Sequence, residues 1–73
     1  MRKTIYSKQH RAIADKLRRA RMDAGLNQSD VAKRLRKPQS YVSRCETGDH
    51  RLDVIELQTF AKIYKKPSRF FLP

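Results

Sequence analysis

The chain carries one cysteine, two glycines and only seven acidic residues in 73. A lone cysteine makes no internal disulfide. There is no Cys-x-x-Cys spacing, and the two histidines stand apart, so no zinc-ligand pattern exists. No metal and no cofactor is expected. Long apolar runs are missing too. Nothing approaches the roughly 20 residues needed to cross a bilayer, so no membrane span is expected. The opening Met-Arg-Lys-Thr-Ile-Tyr-Ser lacks the apolar stretch of a signal peptide. A reducing cytoplasm is the expected setting. No Ser-His-Asp order, glycine-rich phosphate loop or pair of acids at catalytic spacing is present, so an enzyme is not expected.

What is present in excess is positive charge. Eighteen Lys and Arg against seven acids give a net charge of +11 at pH 7. Such a surface attracts polyanions and speeds association with them. Nucleic acid is the first candidate, with an anionic membrane surface or an acidic protein second, and charge alone does not choose. A hydrophobic content of 38% with two glycines fits an all-helical globule of one small domain. A chain of this size buries only about 60% of its extended surface, so its core is thin.

The chain is organised around residues 26–48. The first helix of this stretch opens at Asn27, whose side chain can accept from a free N–H of the first turn. Val31, Ala32 and Leu35 form its narrow apolar stripe. Arg36-Lys37-Pro38 then interrupts it. A residue before proline is biased away from the helical region, and proline suits the first position of a new helix. The second helix is expected over residues 38–46, stopped by Gly48 in a left-handed cap. Val42 and Cys45 face inward, while Gln39, Ser40, Ser43 and Arg44 face out. Cys45 therefore reads as a core residue rather than a reactive thiol.

The pattern Leu26-x-Gln28-x-x-x-Ala32-x-x-Leu35, then Gln39-Ser40-x-Val42-Ser43-Arg44-x-Glu46-x-Gly48, then Leu57-x-x-Phe60-Ala61, resembles the helix-turn-helix of the lambdoid phage repressor and Cro family, the XRE-type family. The likeness covers roughly residues 11–72. Arg36 stands where many members have Gly, Pro38 where Ser or Thr is common, and Cys45 where Ile or Leu is common. The resemblance implies an all-α fold, a compact five-helix bundle with a helix-turn-helix, that binds double-stranded DNA as a transcriptional regulator, most simply a repressor.

The remaining elements fit that frame. Residues 1–6 read as a flexible basic arm, either frayed or touching phosphates, and residues 7–73 as the DNA-binding domain. Ser7 is a plausible cap for a helix reaching Ala24, with inner residues Ile13, Leu17, Ala20 and Ala24. Arg21 shares that face and needs a partner, because an unpaired buried charge is costly. The resemblance implies that the partner is Glu46. Asp53 caps a further helix with the stripe Leu57, Phe60, Ala61 and Tyr64, started by Val54 and Ile55. Pro67 begins a last helical turn through Phe70, Phe71 and Leu72. His10 and His50 are expected at the surface.

A helix-turn-helix places its second helix in the major groove. Gln pairs bidentately with adenine and Arg with guanine. Gln39 and Arg44 lie about 140° apart on the helix, so each can meet a different base pair, with Ser40 beside Gln39. Ser43 is grouped with these base contacts, although phosphate and water are also open to it. Tyr41 either packs on the turn or reaches a phosphate. Gln28 opens the helix that crosses the backbone, where free N–H groups favour a phosphate; the resemblance implies that it also bonds Gln39. Thr47, Arg51 and Lys37 are further phosphate candidates. A weak homodimer strengthened on DNA is expected, with Phe70, Phe71 and Leu72 as its contacts, since successive side chains in one turn point about 100° apart and cannot all face inward. An antitoxin-type module, masking a partner toxin while binding its own promoter, is the alternative.

Overall fold

A computed structural model describes residues 8–71. Four α-helices follow in order: α1 (Lys8–Asp23), α2 (Gln28–Leu35), α3 (Gln39–Thr47) and α4 (Val54–Tyr64), then a 3-10 turn over Ser68–Phe71. No described residue is in a strand. The all-α expectation is met, but the expected fifth helix is a single 3-10 turn. Its first bond runs from Phe70 N–H to the Pro67 carbonyl at 2.9 Å. That i to i+3 closure is the tighter form a four-residue run can complete. The basic arm over residues 1–6, the Ser7 cap and Leu72 lie outside the described residues.

Local chemistry sets the helix starts. Asn27 accepts from the Asp30 N–H at 2.8 Å, and the Asp30 carboxylate accepts from the Asn27 N–H at 3.1 Å. Asp53 and Glu56 make the same reciprocal box at 2.7 and 2.9 Å. Each box satisfies two otherwise orphaned donors. All four helix ends share one pattern, in which a residue in the left-handed region turns the chain and the next N–H reaches back five residues. Gly25 does this after α1, Arg36 after α2 and Lys65 after α4. Gly48, at φ 88°, caps α3 as expected.

The core runs through all four helices. It holds Leu17 and Ala20 from α1, Val31 and Ala32 from α2, Val42 and Cys45 from α3, Leu57, Phe60, Ala61 and Tyr64 from α4, and Phe71 from the 3-10 turn. Leu17, Val31, Val42 and Phe71 are fully excluded from solvent. Burying each such aliphatic or Phe side chain contributes about 1.5–3 kcal/mol. The aromatic spine runs from Tyr41 to Phe60, rings parallel at 6.3 Å, and on to Tyr64 at 5.9 Å.

Three expectations are corrected here. Ala24 is exposed, because α1 ends at Asp23 and Ala24 falls in the turn; Ala14 is buried instead. Phe71, expected at the surface as a dimer contact, is buried in this chain's own core, with Phe70 edge-on to it at 5.1 Å. Phe70 keeps only part of its surface, under the Lys66 ammonium at 4.8 Å. Nor are the histidines plain surface residues. His10 Nε2 donates to the Gly48 carbonyl at 3.0 Å, tying α1 to the end of α3, and His50 Nε2 lies 3.0 Å from Glu56. No described helix is long and apolar enough to cross a membrane.

Candidate nucleic-acid interface

The turn between α2 and α3 aims the second helix. Arg36 adopts φ 59° and ψ 44°, the left-handed region where Gly is usual. Lys37 N–H then bonds the Ala32 carbonyl at 3.0 Å. Pro38 has φ −67° and ψ 154°, so it is the extended residue before the helix rather than its first turn. The second helix is therefore Gln39–Thr47, one residue later than the expected 38–46. Proline's ring fixes φ but leaves ψ free, and here ψ is extended.

Helix α3 is two-faced. Val42, Cys45 and Glu46 are buried, whereas Gln39, Ser40, Arg44 and Thr47 are exposed and Ser43 is half-buried. Burial pushes the Cys45 thiol up to about 12, which keeps it protonated and inert.

Glu46 is the polar anchor beneath this helix. Arg21 Nε donates to Glu46 Oε2 at 2.7 Å and Arg21 Nη2 to Oε1 at 3.0 Å, a bidentate pair with side chains 14% and 4% exposed. Arg21 Nη1 also donates to the Leu26 carbonyl at 3.0 Å. The hydrogen bond to Glu46 raises the Arg21 guanidinium above its ordinary value, against the opposing effect of burial. One charge pair thus ties α1, the α1–α2 turn and α3.

Gln28 carries the network outward. Its Nε2 donates to Glu46 Oε1 at 3.1 Å, and its Oε1 accepts from Gln39 Nε2 at 3.3 Å. Ser29, which nothing in the sequence singled out, donates its hydroxyl to Gln39 Oε1 at 3.2 Å. It stands ten residues from Gln39 on another helix, and no periodicity links them. Beside Gln39, an open depression is lined by Ser29, Lys33, Arg36 and Lys37. Lys33 and Arg36 add two cations beside Gln39 that the sequence pattern does not mark for this edge. The helical charge pattern alone does not distinguish them from any solvated cation.

The other expected phosphate contacts are dispersed. Lys37 lies with its ammonium 5.1 Å above the Tyr41 ring. Arg51 is exposed in the loop after α3. Thr47 Oγ1 lies 3.1 Å from Asp49 Oδ2 and 3.3 Å from the Arg44 carbonyl, so its proton stays within the chain.

Tyr41 packs rather than pointing away. Its hydroxyl donates to Glu56 Oε2 at 2.7 Å, and its ring lies 5.1 Å from His50. Burial works against the Glu56 carboxylate. The Tyr41 hydroxyl, the Asp53 N–H and His50 outweigh it and hold the Glu56 carboxyl below the usual carboxylate range. Among the described residues, no three His, Cys, Asp or Glu side chains gather to hold a metal ion.

The arrangement is a short helix with a polar, partly cationic edge, fixed from below by a buried ion pair. It matches known proteins. The family described as a helix-turn-helix domain matches residues 12–67. Among solved structures, the BldD DNA-binding domain of S. venezulae is similar, with a TM-score of 0.81 and 29% sequence identity over 92% of this chain and 100% of that one. No curated protein matches.

Proposed function

The chain belongs to the XRE-like helix-turn-helix family, and from that premise we propose that it binds duplex DNA sequence-specifically as a transcriptional regulator, most simply a repressor. Repression needs only occupancy of a promoter. The similar BldD domain is described as DNA-binding. A net charge of +11 supplies the sequence-independent attraction to phosphates.

The observation that carries the reading is the exposed edge of α3. Gln39, Ser40 and Arg44 stand out from a helix whose other face holds Val42, Cys45 and Glu46. In the major groove, Gln39 would pair with adenine and Arg44 with guanine, with Ser40 and Ser43 between them. Gln28, Lys37 and Arg51 would flank them on phosphates, joined by Lys33 and Arg36, whereas the Thr47 hydroxyl is committed to Asp49 and the Arg44 carbonyl.

One such helix covers only a few base pairs, too few to single out a site in a genome. We therefore propose a weak two-fold dimer strengthened by an operator whose half-sites lie roughly 34 Å apart. With Phe71 buried, only Phe70 among the described residues of that segment retains surface for it.

Selection of bound duplexes from a random library tests the reading. A preferred site with two inverted half-sites is expected. Recovery of unselected sequence would contradict specific recognition, and an asymmetric single site would contradict the dimer.

A further inference from the structure

A two-fold dimer needs apolar surface, and the C-terminal segment gives most of its own to the core. Phe71 is buried there, and Phe70 is half-buried under Lys66. Among the described residues, the large apolar side chains left exposed are Met22, Val54 and Ile55. Met22 stands among Asp15, Arg18, Arg19 and Asp23. Val54 and Ile55 are neighbours, 69% and 73% exposed, at the first two positions of α4.

Nothing in the folding of the chain calls for this pair. Asp53 and Glu56 cap α4 through their own side chains. Leu57 belongs to the core and Leu52 packs against it, while Val54 and Ile55 do neither. Branched side chains are poor helix formers, and the first turn of a helix favours acids. A single exposed aliphatic residue is ordinary, but two side by side at the edge of an apolar groove form a patch.

We propose that Val54 and Ile55 form the two-fold contact on which a second copy of this chain docks, each copy's Ile55 entering the groove beside the other's. The inference rests on the dimer reading above and names its surface.

Shape and charge both point to a second copy. The groove beside Ile55 is lined by Leu35, Lys37, Tyr41, Glu56, Thr59 and Phe60. A projecting side chain next to a groove is an arrangement that a two-fold contact uses twice, because each patch meets its own copy. Residues 52–61 carry no Lys or Arg and two acids, Asp53 and Glu56, in a chain of net charge +11. Two such chains repel one another over most of their surface, and least where cations are absent. The same two carboxylates repel phosphates, so this face does not suit nucleic acid. Its size fits a contact made on DNA. Two aliphatic side chains per copy fall far short of the roughly 1,200 Å² of total surface that a stable free complex buries. They suffice where one duplex already holds both copies, since tethering makes the second contact intramolecular. The pair directly follows the loop that carries Arg51, so it stands beside the proposed DNA face.

The test uses the full chain as wild type and as the double variant Val54→Ser, Ile55→Gln, which leaves the net charge unchanged. Each is titrated against the selected duplex and against the same duplex with one half-site scrambled. Sedimentation gives the chains per duplex, and melting temperatures are measured in parallel. Wild type is expected to fill the two half-sites cooperatively. In the double variant that cooperativity falls by about ten-fold or more, since burying even one such side chain is worth about that factor. Affinity for the single half-site and the melting temperature both hold. Unchanged cooperativity in the double variant, an equal loss on the scrambled duplex, or a lowered melting temperature would overturn this surface while leaving the dimer reading in place. A selected site without two half-sites, or one wild-type chain per duplex at saturation, would overturn the dimer reading and this inference together.

Discussion

Two residues show how much depends on single polar contacts in so thin a core. Glu46 is buried against Arg21 and accepts three hydrogen bonds, one of them from Gln28. Removing one partner of a buried pair strands the other charge, so Glu46→Ala should destabilise the chain by about 3–5 kcal/mol. Replacing Arg21 and Glu46 together with apolar residues of similar volume should cost less than either single change. Thermal unfolding of the three variants checks this, and an unchanged melting temperature in Glu46→Ala would contradict it. Glu56 links pH to stability. Its folded carboxyl titrates below its ordinary range, so at acid pH the folded state binds fewer protons than the unfolded chain. Its contribution is fully present above the unfolded value of about 4.3 and is lost as pH falls through the lower folded value. Glu56→Gln keeps a residue type suited to the capping box but removes the ionisation. Urea midpoints measured from neutral pH downwards should therefore fall less steeply in Glu56→Gln than in wild type. Equal slopes would refute the assignment.

At the scale of elements, the helix-turn-helix hinges on Arg36. A non-glycine residue in the left-handed region costs roughly 1–2 kcal/mol, and Arg36 sits there at φ 59°. Glycine removes that strain but frees the unfolded chain, which offsets about 0.5–1 kcal/mol. Arg36→Gly should therefore raise stability by up to about 1 kcal/mol, read from denaturant unfolding, and a drop would show that the Arg36 side chain holds the turn. The sequence was legible wherever the cause is local. Asn27, Asp53 and Gly48 declare helix ends through their own side chains or lack of one, and Leu57, Phe60, Ala61 and Tyr64 declare a buried face by spacing. Arg36 stands where glycine is common in the family it resembles, and the structure gives it the positive φ that glycine adopts without strain. Legibility ended where tertiary contacts decide. Proline suits both the position before a helix and its first residue, so Pro38 left the start of α3 uncertain by one. Either Ala14 or Ala24 could complete the stripe of α1, and the turn at Gly25 decided. Tyr41, His50 and Glu56 come from two helices and the loop between them, and the bond from Ser29 to Gln39 spans the turn. No periodicity encodes either group.

For the whole molecule, charge and shape divide the work. The excess of Lys and Arg holds the chain to any phosphate backbone, and that attraction weakens steeply as salt rises. On the proposed reading, preference among sequences comes from the α3 edge, because phosphate contacts carry no sequence information directly. Gln28 cannot isolate the phosphate contribution, since it also holds Gln39 and Glu46. Arg51, exposed in the loop after α3, is the better control. The most direct measurement compares wild type, Arg44→Ala and Arg51→Ala on the selected duplex and on random duplex at one fixed salt concentration. Arg44→Ala should lose about 1–3 kcal/mol on the selected site, with relaxed preference at one base pair and little loss on random duplex. Arg51→Ala should weaken both duplexes alike. Equal losses on selected and random DNA for Arg44→Ala would contradict the claim that α3 reads bases.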